Sequence, residues 1–425
     1  MILTSIIFLI LLIIGLPIAF VLGISSLFYF IQNAPRFLPL LPQRFYAGID
    51  SFVLLAIPFF MFAGELMNAS DITPRLVKLA NVLVGRARGS LAHVNVVASI
   101  FFAGITGAAV SDVAALGSIF IPAMKKDGYS GAYSAAITAC SSIIGPTIPP
   151  STIILVYGSL TGTSIAAMFA GALVPGLLLG FSQMIVIKLM GKKKNFPISV
   201  KKYSMKEGVL SLYRGLPALA MPAIILFGIL SGIFTPTEAA VVASGYAILF
   251  SLIVRTFSLA GLYGALKKAV QSSAVILLII GCANIFGWIL ASTKTAQVLA
   301  SNIIGLTDNP IWILLLLAVF LLFIGTWMET LAAITLLAPF LSIVAKNAGL
   351  DPVHFGIVVI VALNIGLITP PVGVCLFTAS SMSGETFESI VKEAAPYIFS
   401  SIIILIVILL VPQFVLWIPS ALNLL

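Results

Sequence analysis

Long apolar stretches separated by short polar connections run along almost the whole chain. A helical membrane span needs about 20 predominantly apolar residues. We predict spans at 3–30, 49–68, 165–187, 215–233, 237–254, 269–292 and 396–418. Helices and closed barrels are the structures that satisfy their own backbone hydrogen bonds in lipid. The length of these stretches predicts an all-α polytopic membrane protein.

Two further apolar stretches are each interrupted by a glycine and a double proline. Gly145-Pro-Thr-Ile-Pro-Pro150 lies inside residues 130–158, and Gly366-Leu-Ile-Thr-Pro-Pro371 lies inside residues 353–380. Proline lacks an N–H group and crowds the preceding turn, so neither helix can continue. Lipid cannot satisfy the backbone groups that such a break frees. We therefore predict two broken spans whose breaks are packed in protein or line a polar cavity.

Two apolar regions are predicted to be re-entrant hairpins rather than pairs of spans. Residues 89–124 are too few for two full spans and a turn, and their middle, from Gly104 to Asp112, is small and polar. Residues 311–345 have a similar middle, Gly325-Thr-Trp-Met-Glu-Thr330. An amphipathic helix at the membrane surface precedes each hairpin, over 71–88 and, more briefly, over 295–306.

The two halves of the chain form an internal repeat. An offset of 221 residues, from 145 to 366, places Gly104 on Gly325 and Pro149-Pro150 on Pro370-Pro371. The repeats are predicted at 1–188 and 236–425, joined by a basic loop and a connecting span over 189–235. A single connecting span inverts the second copy relative to the first. Inverted repeats with broken helices are a design of secondary transporters.

Composition and charge agree with this arrangement. The chain is 61% hydrophobic and 8% charged, with a mean hydropathy of +1.21. Its net charge of +9 lies mainly at the ends of apolar stretches, as expected for cytoplasmic loops. The most basic loop runs from Lys188 to Arg214 and is interpreted as a topology signal. We therefore expect the lipid bilayer as a partner and no nucleic acid.

The hairpin tips and helix breaks are candidate Na⁺ sites. Backbone carbonyls freed at broken helices are suitable ligands for hard cations. The alternative is that the breaks are only hinges or packing kinks. The predicted ligands are Thr106, Ser111 or Asp112 with Gly145 and Thr147 in the first half, and Gly325, Thr326 and Met328 with Gly366 and Thr369 in the second.

The substrate is expected between these two walls. No basic residue lies at either break, so an anion would be held by helix ends, hydroxyl groups and a bound cation. The carboxylates Asp112 and Glu329 lie at the hairpin tips, and their roles remain open between coupling and helix capping or a buried hydrogen bond. The predicted substrate residues are Gly104, Gly107, Pro149, Pro150, Ser151, Glu329, Thr330, Pro370 and Pro371.

The sequence contains no phosphate-binding glycine loop followed by Lys-Ser/Thr and no nucleophile constellation. We therefore expect neither ATP-driven transport by this chain nor an enzyme. Thr235-Pro-Thr-Glu238 is interpreted as a helix capping box. A passive channel or a structural membrane subunit is the alternative function, although channels more often assemble a pore from several copies.

Four motifs in order resemble the large membrane subunit of tripartite ATP-independent periplasmic (TRAP) transporters. The resemblance covers essentially the whole chain. The motifs are Ala115-Leu-Gly-Ser-Ile-Phe-Ile-Pro-Ala-Met124, Ile148-Pro-Pro-Ser151, Gly232-Ile-Phe-Thr-Pro-Thr-Glu-Ala-Ala240 and Gly366-Leu-Ile-Thr-Pro-Pro-Val-Gly373.

The resemblance implies a Na⁺-coupled elevator mechanism, with two or more sodium ions as the coupling species and a location in the bacterial inner membrane. It also implies two partners: a small four-helix membrane subunit, expected here as a separate chain, and a periplasmic substrate-binding protein. Typical substrates of this family are sialic acid and C4-dicarboxylates.

Overall fold

The computed structural model describes residues 2–70, 72–85, 87–104, 107–197, 205–295, 297–298, 305, 307 and 309–425. The regular elements in these ranges are α-helices together with two short 3₁₀ turns, at 35–37 and 52–55. The predicted all-α class is confirmed. In the described part of the chain, six helices are long and apolar enough to span a membrane, or up to eight if each of two bent pairs is one span.

The helices of the first half precede a long connection. They are α1 (Ile2–Ile13), α2 (Ile18–Asn33), α3 (Leu40–Ile49), α4 (Ala56–Asn68), α5 (Ile72–Val84), α6 (Ser90–Phe102), α7 (Ala109–Lys126), α8 (Gly131–Ser142), α9 (Thr152–Thr161) and α10 (Ile165–Lys193). The connection contains α11 (Met205–Leu230).

The helices of the second half follow from residue 236. They are α12 (Pro236–Ile253), α13 (Leu259–Ser292), α14 (Pro310–Trp327), α15 (Thr330–Asn347), α16 (Pro352–Gly366), α17 (Val374–Ser383), α18 (Phe387–Leu410) and α19 (Gln413–Ala421). The amphipathic stretch predicted over 295–306 lies mostly outside the described residues.

One predicted single span is wrong, and another is preceded by a sharp bend. The span predicted at 3–30 is divided into α1 and α2, because Gly15 adopts a left-handed φ of +84° and Pro17 occupies the N-cap of α2. The span predicted at 49–68 corresponds to the segment Phe52–Asn68, which contains the second 3₁₀ turn and α4 and meets α3 at a bend of 60°. In both cases a local backbone change ends a helix inside an apolar stretch.

Helix ends occur at both double prolines and at both predicted hairpin tips. We call α6 and α7 the first hairpin, and residues 143–151 between α8 and α9 the first break. The second hairpin is α14 and α15, and the second break is residues 367–373 between α16 and α17. The Pro149–Pro150 and Pro370–Pro371 peptide bonds are both cis.

Local chemistry explains several helix starts. The Ser151 hydroxyl accepts a hydrogen bond from Ile154 N–H at 3.4 Å and donates one to the Pro146 carbonyl at 2.6 Å, so it caps α9 and closes the first break. Thr235 and Glu238 form the predicted capping box at the start of α12. These caps satisfy N–H groups that a helix terminus otherwise leaves without partners.

The helices pack in two groups. In one, α4 packs against α12 and α13, and α13 also packs against α2 and α3. In the other, α8 is surrounded by α6 and α7 of the first half and by α17 and α18 of the second. The groups meet where α15 packs against α13 and where α9 touches α4. The hairpins and breaks of both halves thus share one body that lies against the α4–α13 wall.

Polar contacts join the two halves near the start of α8. The Tyr133 and Tyr397 hydroxyls are buried and 2.7 Å apart. Lys125 pairs with Glu385 at 3.2 Å and donates to the Ser383 carbonyl at the end of α17. Lys194 also pairs with Glu393. Exposed ion pairs contribute little individually, so the buried tyrosine pair is the strongest of these polar links.

Candidate functional site

The tip of the first hairpin lies directly on the first break. A Cβ atom added at Gly104 would lie 2.5 Å from Pro150 Cδ, and one added at Gly107 would lie 2.8 Å from Thr152 Oγ1. Both glycines have positive φ angles, +79° and +71°, which glycine adopts without steric cost. Between them lies the predicted ligand Thr106, which is outside the described residues.

Asp112 lies in the first turn of α7 and is fully buried. Its Oδ2 atom lies so close to Gly145 that no methyl group fits there. The structure therefore brings together two residues that the sequence assigned to one candidate site. Ser111, its neighbour in the chain, is exposed and lines the cavity described below.

The second hairpin lies equally close to the second break. A Cβ atom added at Gly366 would lie 2.5 Å from Gly325 Cα, and one added at Gly325 would lie 2.5 Å from the Leu363 carbonyl oxygen. Gly373 N–H donates a hydrogen bond of 3.1 Å to the Thr326 carbonyl. The backbones of α14 and α16 are thus in direct contact at the second candidate site.

Asn364 connects the two halves of the candidate site. Its Nδ2 donates to Thr147 Oγ1 at 3.0 Å in the first break, and its Oδ1 accepts from Thr330 Oγ1 at 2.8 Å at the start of α15. All three side chains are buried. Asn364 was not among the residues predicted from the sequence. One feature of the sequence could have identified it: Asn364 is an isolated amide in the apolar stretch just before the second break. Polar side chains inside a membrane are costly, so such a residue is a candidate for a functional role.

The other predicted hydroxyl ligands bond to their own backbone. Thr147 Oγ1 donates to the Ile143 carbonyl at 2.7 Å, Thr326 Oγ1 to Phe323 at 2.8 Å, and Thr369 Oγ1 to Ile365 at 2.8 Å. Each hydroxyl keeps at least one lone pair free to accept a further bond or to face a cation; Thr147 uses its other lone pair for Asn364. Met328, the remaining predicted ligand, has extended backbone after the end of α14 and is half-buried.

Glu329 is the N-cap of α15. Its Oε2 accepts hydrogen bonds from Leu331 N–H at 3.0 Å and Ala332 N–H at 3.3 Å. A carboxylate at this position also interacts favourably with the helix dipole. The sequence left two roles open for Glu329, one in coupling and one in helix capping or a buried hydrogen bond, and the structure shows the capping contacts. The same side chain lines the main cavity, so capping and a role in transport are compatible.

The main cavity has a volume of about 800 Å³ and lies between the two helix groups. One wall comes from Gly107 and Ser111 of the first hairpin, Thr152 at the start of α9, and Glu329 of the second. The opposite wall comes from α4 and α13, where Glu65 and Lys268 form an ion pair at 3.6 Å. The cavity therefore presents hydroxyl groups, two carboxylates and one ammonium group.

The predicted substrate residues divide around this cavity. Gly107 and Glu329 line it, while Gly104, Pro150 and Ser151 line a small adjoining pocket with Phe60 and Met61. Pro149 and Thr330 are buried behind the wall. Pro370 and Pro371 are exposed and do not line it. Glu65 and Lys268 were not predicted, because their position on the wall depends on the packing of α4 against α13.

We expect Glu329→Ala to lower the free energy of unfolding by about 1 kcal/mol, since it removes the N-cap of α15. Glu329→Gln should lower the free energy of unfolding by only a few tenths of about 1 kcal/mol, because its amide oxygen can still accept a hydrogen bond from Leu331 N–H. Glu388→Ala is the matched control, because Glu388 is exposed in the first turn of α18. Thermal unfolding of the purified protein measures all three. Equal losses in Glu329→Ala and Glu388→Ala would contradict the capping role.

A family model and several relatives match this chain. The model described as "Tripartite ATP-independent periplasmic transporter, DctM component" matches residues 5–414. The sialic acid TRAP transporter large permease protein SiaM of Vibrio cholerae is 39% identical over 407 residues, which cover 96% of this chain and 95% of the relative. The C4-dicarboxylate TRAP transporter large permease protein DctM of Pseudomonas aeruginosa is 36% identical over 403 residues, covering 95% and 94%.

Two further matches extend the comparison. The isethionate TRAP transporter permease protein DctMQ of Oleidesulfovibrio alaskensis is 39% identical over 402 residues, covering 94% of this chain and 63% of the relative. Among solved structures, the YdaH transporter of Alcanivorax borkumensis aligns with a TM-score of 0.61 and 16% identity, covering 89% of this chain and 88% of that chain. At that identity the structural likeness concerns the fold alone.

Proposed function

Because this chain belongs to the TRAP transporter family as a large permease, we propose that it imports an organic acid anion, such as sialic acid or a C4-dicarboxylate, in symport with Na⁺. Large permeases of this family work with a small permease and a periplasmic binding protein. We propose that here the small permease is a separate chain. The chain is a multi-pass membrane transport protein and not an enzyme.

The main cavity is the observation that carries this proposal. Its volume of about 800 Å³ lies within the range of about 300–1,000 Å³ that is typical of small-molecule sites. The Lys268 ammonium group on its wall is available to an anion, although Glu65 lies 3.6 Å away. Relatives named for sialic acid and for isethionate are equally similar to this chain, at 39%. The substrate class, an organic anion, is therefore better supported than any single compound.

The proposed Na⁺ sites rest on the donor set at the two tips. Near the first break, the buried Asp112 carboxylate lies against Gly145. At the second, Gly325 lies against Gly366 and the Leu363 carbonyl oxygen, the Gly366 carbonyl accepts from Thr369 N–H at 2.9 Å, and the Thr326 carbonyl accepts from Gly373 N–H at 3.1 Å. Oxygen donors of this kind suit a hard cation. Bound sodium would supply positive charge next to a substrate anion, in a region without basic side chains at the breaks.

The proposed elevator movement rests on the division of the cavity walls. The hairpins and breaks form one wall and are joined across the repeats by Asn364 and the Tyr133–Tyr397 pair. The α4–α13 wall belongs to the other helix group. In this movement the helix group that contains the hairpins and breaks slides along the group that contains α4 and α13. The hairpin residues of the main cavity would cross the membrane while Glu65 and Lys268 stay in place.

Uptake into proteoliposomes tests the function. The chain would be reconstituted with its small permease, and radiolabelled sialic acid or succinate would be supplied with the binding protein. We expect replacement of external Na⁺ by choline to lower initial uptake by about tenfold, within the usual range of coupling between two ligands. Uptake that is indifferent to sodium and to a protonophore would instead support the passive channel.

A further inference from the structure

A second cavity, of about 380 Å³, lies at the amphipathic helix α5, and its lining is distinct from that of the main cavity. It is lined by Pro74, Arg75 and Lys78 of α5 and by Ser211 of α11. We call it the arm cavity. We propose that the arm cavity binds the phosphodiester headgroup of an anionic phospholipid and thereby anchors α5 and α11 to the bilayer.

The packing of α5 on α11 leaves one buried hydroxyl group, on a residue that lines the cavity, without a partner. Gly208 and Gly215 lie on one face of α11, and added Cβ atoms there would lie 3.7 Å from Val82 Cγ1 and 2.9 Å from Leu79 Cδ2. Ser211 lies between these glycines and is 3% exposed. Its Oγ makes no hydrogen bond in the described structure. Because a buried polar group without a partner is costly, this hydroxyl is suited to donate to a phosphate oxygen.

Two cations lie at the same cavity. The Arg75 guanidinium carbon lies 5.9 Å from the centroid of the Phe250 ring of α12. Phe250 stacks on Tyr246, whose hydroxyl donates to the Pro217 carbonyl of α11. Lys78 follows Arg75 by three residues and so lies on the same helix face. Among the described residues neither cation forms an ion pair, so both charges are available to an anion.

The surroundings favour a lipid over a soluble phosphate. Leu76, Leu79 and Ala80 of α5 are buried, while Lys78 on the polar side is exposed, the arrangement of a helix lying in the membrane interface. On α11 the two residues flanking Ser211, Leu210 and Leu212, are 44% and 45% exposed. Such apolar surface next to the headgroup site would contact acyl chains. The charge pattern also predicts the cytoplasmic side for this region, where anionic lipids are concentrated.

Native mass spectrometry of the full chain in detergent, titrated with phosphatidylglycerol, tests the proposal. Each Lys or Arg near the surface strengthens the binding of an anionic lipid. Replacing both, as Arg75→Gln with Lys78→Gln, should therefore weaken phosphatidylglycerol binding about thirtyfold. Ser211→Ala should weaken it several-fold while keeping both charges and the helix packing. Lys192→Gln with Lys193→Gln is the control, because it removes the same charge from two exposed residues at the end of α10. This control should bind the lipid like the unaltered protein.

Three results would overturn the proposal. The first is unchanged phosphatidylglycerol binding by the Arg75/Lys78 variant. If that double variant does not elute as a folded monodisperse protein, unchanged binding by Ser211→Ala would overturn the proposal in its place. The second is equal weakening by the Lys192/Lys193 control, which would indicate attraction to net charge alone. The third is displacement of the lipid by sn-glycerol 3-phosphate at similar concentrations, which would assign the cavity to a soluble phosphate. Phosphatidylcholine should bind the unaltered protein and the Lys192/Lys193 control more weakly than phosphatidylglycerol.

Discussion

Replacing Gly366 with alanine is expected to abolish sodium-driven uptake and to lower the free energy of unfolding by about 1–3 kcal/mol, the usual cost of overpacking a core. The added methyl group would lie 2.5 Å from Gly325 Cα and 2.8 Å from the Leu322 carbonyl oxygen. These are backbone atoms, which cannot move aside as the end of a flexible side chain can. The helices α14 and α16 would have to separate, and this would displace the second hairpin tip.

Gly245→Ala is the matched control for this prediction. Gly245 lies within α12, and an added Cβ atom there would meet nothing within 4 Å. Alanine is also the better helix former, by about 1 kcal/mol. Uptake in proteoliposomes and thermal unfolding should be unchanged or slightly improved in this variant. Full activity of Gly366→Ala would show that the close contact of α14 and α16 is not required for transport.

Asn364→Ala is expected to lower uptake about tenfold when normalised to folded protein, and to cost about 1–3 kcal/mol of stability. The substitution leaves the Thr330 hydroxyl without its acceptor and removes the donor to Thr147. Both effects act where the second hairpin meets the first break. If the candidate ion sites move as one unit, the loss of this link should impair transport beyond the loss of stability.

Asn95→Ala provides the comparison for Asn364→Ala. Asn95 is also a fully buried amide; it donates to Thr138 Oγ1 at 2.7 Å and accepts from Ser141 Oγ at 3.4 Å. All three of these residues belong to the first half, so the substitution removes buried hydrogen bonds without separating the halves. We expect a similar loss of stability with uptake within about twofold of normal. An equal fall in uptake in both variants would contradict a specific role for Asn364.

Much of the fold could be predicted because a membrane restricts the backbone. Lipid offers no hydrogen bonds, so each apolar stretch had to be helical and each of the two double-proline segments had to end a helix. For this reason the ends of α8, α9, α16 and α17 lie close to the predicted limits, and Thr235 and Glu238 form the predicted cap. The division of 3–30 into α1 and α2 was missed, since the prediction of one span there followed the length of the apolar stretch and not Gly15 and Pro17, where the helices separate.

The candidate site was predictable only in part. The hairpin tips and breaks were identified from small residues and prolines, and Asp112 does lie against Gly145. Asn364 was overlooked, because an amide in an apolar stretch does not reveal which residues it contacts. Lys268 and Glu65 are far apart in sequence, and their pairing on one wall of the main cavity follows from the packing of α4 on α13.

By itself, then, the sequence determined the membrane class, the helical architecture and the positions of the helix ends at the tips and breaks, since these depend on local composition and on the lack of hydrogen-bond partners in lipid. Only the tertiary structure decided how the halves differ. The double prolines correspond in sequence, yet Pro149 and Pro150 are buried while Pro370 and Pro371 are exposed. Their environments are set by contacts between distant segments, such as Thr147 with Asn364. A local sequence pattern does not show which distant segments come into contact.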